Sequence, residues 1–355
     1  MAYNKRLLLK GNEAAVYGAL LAGCDCYFGY PITPASEIAQ AAALLFPKLN
    51  RTFVQAESEI GAINMDIGCA AAGRRTMTAS SGLGISLKQE GMSYLAAYEM
   101  PAVIVDVMRG GPGLGNIGPE QSDYFQVVKG GGHGSYRCLV FTPNSVQEMC
   151  DMTFQAFPMA EKYRMPAYVL TDGVIGQMME SLELPEPVKY DYDPEWKMGR
   201  RVNGEANIIS SIYMEYNDLE ALNHRLQDKY ALIQQTEQSV EEIEVDDADL
   251  VMVAYGISSR VGQGAVQALR AEGLKVGLIR PKMVFPFPND SLRKAAEHVK
   301  GFLCLEHSAG QMIEDVKLAI DCKLPVRLCN RMGGNLLTVA QVCEAAKNMM
   351  KELGK

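Results

Sequence analysis

Residues 53–84 read FVQAESEIGAINMDIGCAAAGRRTMTASSGLG, and the fold follows from this stretch. A short apolar run at Phe53 and Val54 ends in an acidic pair, Glu57 and Glu59. A segment rich in small residues at helical spacing comes next, then 76–79 and a polar, glycine-bearing turn. The pattern predicts strand, loop, helix, strand, loop, with Ser58 as the helix N-cap. It places a carboxylate at the end of a buried strand, against a helix whose alanines and glycines permit close packing. In such poorly solvated surroundings a carboxyl group gains proton affinity, and its protonation state becomes usable. The plainer alternative is that acids in a first helical turn only complement its dipole.

On the N-terminal side, residues 12–22 read as a helix capped by Asn12 and stopped by Gly23, and 26–29 as a short strand. That strand runs into GYPITPASEI, where Pro31 and Pro34 force a rigid turn that holds Tyr30 and Thr33 at the strand's end. Pro34 suits the first turn of the next helix, 35–46. On the C-terminal side the sequence predicts a helix over 86–98 and an apolar strand over 102–108, followed by Arg109 and GGPGLGNIGPEQSD. An arginine there either meets solvent at the sheet's end or anchors an anion, and its rigid fork suits a carboxylate. Gly113, Gly115 and Gly118 match GxGxxG formally. Pro119, Glu120 and Gln121 stand where an apolar helix should begin, so a mobile loop over a site is expected rather than a dinucleotide cradle.

Strands over 138–141 and 167–170 flank a helix over 145–160 capped by Ser145; Thr171 and Asp172 end the second strand. His133 falls in a glycine-rich loop as a hydrogen-bonding residue. This alternation predicts a doubly wound, mostly parallel sheet, in which ligands lie beyond the carboxyl ends of the strands. Tyr30, Thr33, Glu59, Ser80, Ser81, Arg109 and Asp172 all fall there and should gather along one edge. From 185 to 201 the chain turns polar, aromatic and irregular, with the only tryptophan, Trp196, and 217–242 reads as a connecting helix on a surface. A second α/β unit with a parallel sheet follows: strands over 249–256, 275–280, 302–306 and 326–329, helices over 259–271 and 339–353, and a proline-broken crossover, PKMVFPFP. Its polar residues Glu306, His307, Asp315 and Arg331 read as structural. The division is 1–190, a linker with its helix over 191–245, and 246–355.

With 355 residues and a net charge of −8, the chain has room for two domains but no concentrated basic face, which argues against nucleic acid. No apolar run approaches the ~20 residues that span a bilayer and the N-terminus lacks a signal-peptide core, so a cytoplasmic, membrane-free setting is expected. The nine cysteines form no CxxC array, and their odd number suggests reduced core thiols. Four scattered histidines make a metal site of this chain's own unexpected.

GYPITPASEI, QAESEIGAIN, TASSGLG and VDVMRGGPGLGN, in that order, resemble the alpha subunits of the 2-oxoacid:ferredoxin oxidoreductases over nearly the whole chain. RGGPGLGNIGPEQSDYFQ and KGGGHGSYR are most similar to the branched-chain, 2-oxoisovalerate (3-methyl-2-oxobutanoate) type. The resemblance implies a thiamine diphosphate pyrimidine-binding-like domain followed by a transketolase C-terminal-like domain. It implies oxidative decarboxylation of a 2-oxoacid with coenzyme A to acyl-CoA, CO2 and reduced ferredoxin. It carries the carboxyl that hydrogen-bonds the cofactor's pyrimidine onto Glu59 rather than Glu57, and substrate contacts onto Thr33 and Arg109. Tyr30, Pro31, Ser80 and Ser81 are the further cofactor-binding candidates. Asp172 and Gly173 lack the first glycine of a GDG motif, and no asparagine partner follows. The diphosphate and Mg2+ are therefore expected on a beta subunit, and 4Fe–4S clusters on that subunit and on gamma and delta subunits, with ferredoxin as acceptor. Rival readings are the same chemistry on 2-oxoglutarate or pyruvate, a nicotinamide-dependent oxidoreductase, and a non-catalytic assembly subunit.

Overall fold

A computed structural model describes residues 6–188 and 193–354. Residues 1–5, the last residue and 189–192, with the expected boundary at 190/191, lie outside the described residues.

The chain opens with β1 (Arg6–Lys10), α1 (Gly11–Leu21), β2 (Cys26–Gly29), α2 (Ser36–Leu45), β3 (Thr52–Gln55), α3 (Glu59–Ala71), β4 (Thr76–Ser80) and α4 (Leu83–Ala97). It continues through β5 (Val103–Met108), α5 (Tyr124–Val128), β6 (Leu139–Phe141), α6 (Val146–Tyr163), β7 (Ala167–Asp172), α7 (Gly173–Gln177) and β8 (Met179–Glu183). A small hairpin, β9 (Arg201–Val202) and β10 (Glu205–Ala206), precedes α8 (Tyr216–Thr236) and β11 (Val240–Ile243). The remainder is β12 (Leu250–Val253), α9 (Gly256–Ala271), β13 (Val276–Pro281), β14 (Met283–Phe285), α10 (Asn289–Ala296), β15 (Gly301–Glu306), α11 (Met312–Ala319), β16 (Val326–Asn330) and α12 (Val339–Glu352).

Two α/β sheets organise these elements. The first has seven strands in the order β14-β6-β7-β5-β4-β2-β3, all parallel except β14. The second has five, β11-β13-β12-β15-β16, all parallel except β11. Strands β4, β5 and β7 are buried along their whole length, as expected where helices cover both faces of a parallel sheet. One face of the first sheet packs on α1, α2 and α6. The other face shares a continuous core with the second unit, in which Ile63, Ile85 and Leu95 meet the same cluster as Val253, Ile279 and Phe302.

Several expectations are corrected. β3, expected to be buried, is the edge of its sheet: Thr52 and Gln55 are exposed and Phe53 and Val54 half-buried. The chain leaves β2 outward to β3 and returns on β2's other side as β4, so apolar content marks a strand here without placing it at the centre. Asn12 does not cap α1. Lys10 holds that position, and Asn12, fully buried, donates its amide to Pro34 O (2.8 Å) and Glu37 Oε2 (3.1 Å). The connecting helix ends at Thr236, and Val240–Ile243, inside the expected linker, pairs with β13. The PKMVFPFP crossover contributes β14 to the first sheet, so two strands reach across the expected boundaries. Ser58 and Ser145 do cap their helices, accepting from Gly61 N and Glu148 N, each at 3.1 Å.

Gln121 fastens the two units. Its main-chain N–H donates to His307 O (2.7 Å), its Oε1 accepts from His307 N (3.0 Å) and Ser258 Oγ (2.7 Å), and its Nε2 donates to Tyr255 O (3.0 Å). Among the described residues no helix is long and apolar enough to cross a membrane.

Candidate functional site at the carboxyl edge of the first sheet

Strand order reverses around β2, which lies between β3 and β4, and in open α/β sheets ligands lie beyond the carboxyl ends of the strands at such a reversal. Glu59 is the first residue of α3, directly after the β3 turn, and is 5% exposed, whereas Glu57 faces solvent. The Glu59 carboxyl has no hydrogen-bond partner among the described residues. Ser80 ends β4 and Ser81 follows it; both are fully buried, and neither hydroxyl has a partner among the described residues. Gly84 makes this assembly possible. A Cβ there would stand 2.2 Å from Ser80 Oγ and 2.7 Å from Glu59 Oε1, so any larger residue would displace both.

Arg109 lies on the far side of the same turn. Gly82, at φ +50°, adopts a conformation that side chains disfavour, and a Cβ there would be 3.5 Å from Arg109 Cγ. The guanidinium donates from Nη1 to Thr33 O (2.8 Å) and from Nη2 to Leu114 O (3.0 Å), which fixes its plane. The turn SSGLG thus stands between two groups: Glu59 with Ser80 on one side, Arg109 with Thr33 on the other. Tyr30, Pro31 and Thr33 follow β2 and are exposed, Tyr30 at 40%.

Asp172 reaches the same edge, but its carboxylate is already engaged. Oδ1 accepts from Val174 N (3.0 Å) and Ile175 N (3.1 Å), capping α7, and Oδ2 accepts from Ile257 N (3.0 Å) of the second unit. His133 is exposed and distant, on a cavity shared with Leu222 and Leu226 of α8. The glycine loop closes through an Arg109–Pro119 bridge, with no helix until α5. Its residues wall a cavity of about 760 Å³ that Gly82, Arg109 and Asp123 share with Gln311 and Met332 of the second unit.

Four buried groups escaped the sequence reading. Asp106, fully buried in β5 beside Ser80, has neither carboxyl oxygen bonded among the described residues, and burial together with the nearby Asp123 pushes its proton affinity well up. Asp123 is itself raised to about 6, by burial first. Asp66 and Lys88, both without exposure, face β4 from α3 and α4. The signals were present: an aspartate inside VIVDVM, a lysine at helical spacing between Ile85 and Met92, and an aspartate in register with Ala62, Ile63 and Ala70.

Residues 17–244 match the family described as pyruvate flavodoxin/ferredoxin oxidoreductase, thiamine diphosphate-binding, and residues 248–342 match pyruvate:ferredoxin oxidoreductase core domain II. The chain is 57% identical over 343 residues to the ketoisovalerate oxidoreductase subunit VorB of Methanothermobacter thermautotrophicus, covering 96% of this chain and 97% of that one. It is 36% identical over 356 residues to the 2-oxoglutarate synthase subunit KorA of Methanothermobacter marburgensis, covering 92% and 95%. Among solved structures it is similar to the 2-oxoglutarate:ferredoxin oxidoreductase from Magnetococcus marinus with 2-oxoglutarate, coenzyme A and succinyl-CoA bound, at a TM-score of 0.86 and 26% identity. That match covers 97% of this chain and 65% of the solved one, so this chain spans less than two thirds of it. A split gene transketolase, at a TM-score of 0.57 and 13% identity, shares the fold.

Proposed function

The chain belongs to the thiamine diphosphate-binding pyruvate flavodoxin/ferredoxin oxidoreductase family, and from that premise we propose that it is the pyrimidine-binding subunit of a branched-chain 2-oxoacid:ferredoxin oxidoreductase. The reaction is oxidative decarboxylation of 2-oxoisovalerate or a close analogue with coenzyme A to acyl-CoA, CO2 and reduced ferredoxin. Identity of 57% to a ketoisovalerate subunit against 36% to a 2-oxoglutarate subunit favours the branched-chain acid.

The observation that carries the proposal is the 5%-exposed carboxyl of Glu59 beside the fully buried hydroxyls of Ser80 and Ser81, which have no partner among the described residues. Buried polar atoms are nearly always bonded, so a cluster of open valences at this edge fits the polar edge of a ring such as the aminopyrimidine. Bound there, thiamine diphosphate would supply the nucleophilic carbon and electron sink that decarboxylation needs. The Glu59 carboxyl would hydrogen-bond the ring edge through its Oε atoms, and Gly84 leaves the room that this carboxyl and Ser80 occupy. Tyr30 and Pro31 follow β2 at the same edge and are exposed, so they would meet the cofactor from the solvent side. Of the five N–H groups of a guanidinium, Arg109 commits two to main-chain carbonyls and keeps the others for the substrate carboxylate, with the Thr33 hydroxyl nearby for its ketone.

Asp172, the residue nearest in pattern to a magnesium ligand, spends its oxygens on three main-chain N–H groups. The proposal therefore assigns the diphosphate and Mg2+ to a beta subunit and the 4Fe–4S clusters to partner subunits, with gamma and delta subunits and ferredoxin completing a cytoplasmic complex. The proposed domains are 1–190, the linker 191–245 and 246–355, with β11 and β14 reaching across. The test is co-expression with the partner subunits and an assay of coenzyme A-dependent ferredoxin reduction over a panel of 2-oxoacids. Fastest turnover of 2-oxoisovalerate is expected. Turnover of none of them overturns the proposal, and undiminished activity of Glu59→Ala would reduce this chain to a brace for its partner.

A further inference from the structure

Lys88 and Asp66 are buried ionisable residues that nothing above uses. Lys88 lies one turn beyond Gly84 on α4, and its Nζ donates to Thr78 Oγ1 (3.0 Å) and to the main-chain oxygen of Glu59 (3.4 Å). Asp66 lies on α3; its Oδ1 accepts from Thr76 Oγ1, and its Oδ2 has no partner among the described residues. Thr76, Thr78 and Ser80 alternate along β4 and so share one face of the strand. The result is a polar line through an apolar layer: Asp66 at Thr76, Lys88 at Thr78, and Glu59 with Gly84 at Ser80. Burial lowers the proton affinity of Lys88 and raises that of Asp66; each charge partly reverses the other's shift, and Glu59 adds to the pull on Lys88. A buried ammonium is expensive where Met or Leu would fill the space, so its retention calls for a task.

We propose that Lys88 is a positioning residue for Glu59: anchored by Thr78 and countered by Asp66, it grips the Glu59 carbonyl and fixes the first turn of α3, so that the carboxyl stays in the gap beside Ser80 and Gly84. The inference rests on the reading of Glu59 as the group that meets the pyrimidine. It assigns Lys88 no contact with cofactor or substrate. Its effect passes through the main chain of Glu59, so it should vanish when the Glu59 carboxyl is gone.

The experiment uses the assembled oxidoreductase loaded with thiamine diphosphate and Mg2+ but given no 2-oxoacid, and reads two quantities: the rate at which the cofactor's C2 proton exchanges with D2O, and the cofactor's dissociation constant. Glu59→Gln should slow exchange roughly 100-fold. Lys88→Met should slow it about tenfold or more, as a misplaced catalytic group does, while the dissociation constant moves less than about threefold. The double variant should be no slower than Glu59→Gln alone, because residues acting through one another are not additive. Thr78→Val, which keeps the ammonium but removes its anchor, should slow exchange in the same direction by a smaller factor. A wild-type exchange rate in Lys88→Met, or the same slowing in the Glu59→Gln background as in the wild type, overturns the inference while leaving Glu59's role standing. A wild-type rate in Glu59→Gln sinks instead the reading on which it rests. If Lys88→Met does not assemble, Thr78→Val decides, and wild-type exchange there is the contrary result.

Discussion

The two sheets treat their buried polar groups in opposite ways. At the carboxyl edge of the first, Ser80, Ser81, Asp106 and Thr171 carry polar atoms with no partner among the described residues. In the second, Glu306 accepts from Ile313 N at one oxygen and from Ser308 Oγ, Gln311 N and Met312 N at the other, between 2.9 and 3.0 Å. His307 is as fully used. Its Nε2 accepts from Leu337 N (2.9 Å), which leaves the proton on Nδ1 to donate to Ser258 Oγ (2.8 Å), and that hydroxyl in turn donates a hydrogen bond to Gln121 Oε1 (2.7 Å). A satisfied buried network locks a structure, whereas an unsatisfied one, at a topological switch point, is arranged for something that arrives from outside.

The sharpest way to break this contrast is to remove one group from each side. Glu59→Gln should lower the turnover of the assembled enzyme about 100- to 1000-fold and leave its melting temperature nearly unchanged. Glu306→Ala should do the reverse. It strands four donors and removes a charge from the start of α11, and should lose about 3 kcal/mol of stability to denaturant while the assembled fraction keeps its turnover. Equal effects of both variants on both readouts would erase the distinction.

Acid offers a second test, because the two regions respond with opposite signs. Burial depresses His307 to about 4, so the unfolded chain binds a proton that the folded chain refuses between the ordinary histidine value and about 4. Its stabilising contribution is complete above that window and is lost as pH falls through it, by about 2 kcal/mol from pH 7 to pH 5. Asp123, raised to about 6, weakens the fold at neutral pH, and the fold recovers about 1 kcal/mol over the same interval as the carboxyl protonates. His307→Gln should therefore flatten the loss of stability on acidification, and Asp123→Asn should steepen it; denaturant titrations at the two pH values check both signs. The smallest expected effect is that of Ser80→Ala. Deleting a buried hydroxyl that has no partner among the described residues should change stability by less than about 1 kcal/mol, in the stabilising direction, while weakening thiamine diphosphate binding to the assembled enzyme.

Much of this arrangement was legible in the chain. The strand-helix alternation and the Ser58 cap follow from local pattern, because small residues and a cap specify how one helix meets one strand, whereas the choice of Glu59 over Glu57 came from the family resemblance and agrees with the burial of Glu59 alone. What escaped depends on pairing between distant segments. Nothing in Phe53 and Val54 says that β3 is an edge, and nothing in KMVFP says that it will cross to the other sheet and join β6. Asn12 has the composition of a cap, but Pro34 and Glu37 claim its side chain from another element. Lys88, Asp66 and Asp106 were legible as charges within apolar periodicity, yet only their convergence on β4 and β5 turns isolated anomalies into one polar line.

The most direct test of the central claim, that Glu59 faces the pyrimidine of a cofactor shared with another subunit, is a structure of the assembled oxidoreductase with thiamine diphosphate bound. The account predicts the Glu59 carboxyl within hydrogen-bonding distance of the aminopyrimidine ring nitrogen, beside Ser80 and Gly84, and the diphosphate in the grip of the partner chain. A Glu59 carboxyl turned to bulk water, or a cofactor enclosed by this chain alone, would contradict it.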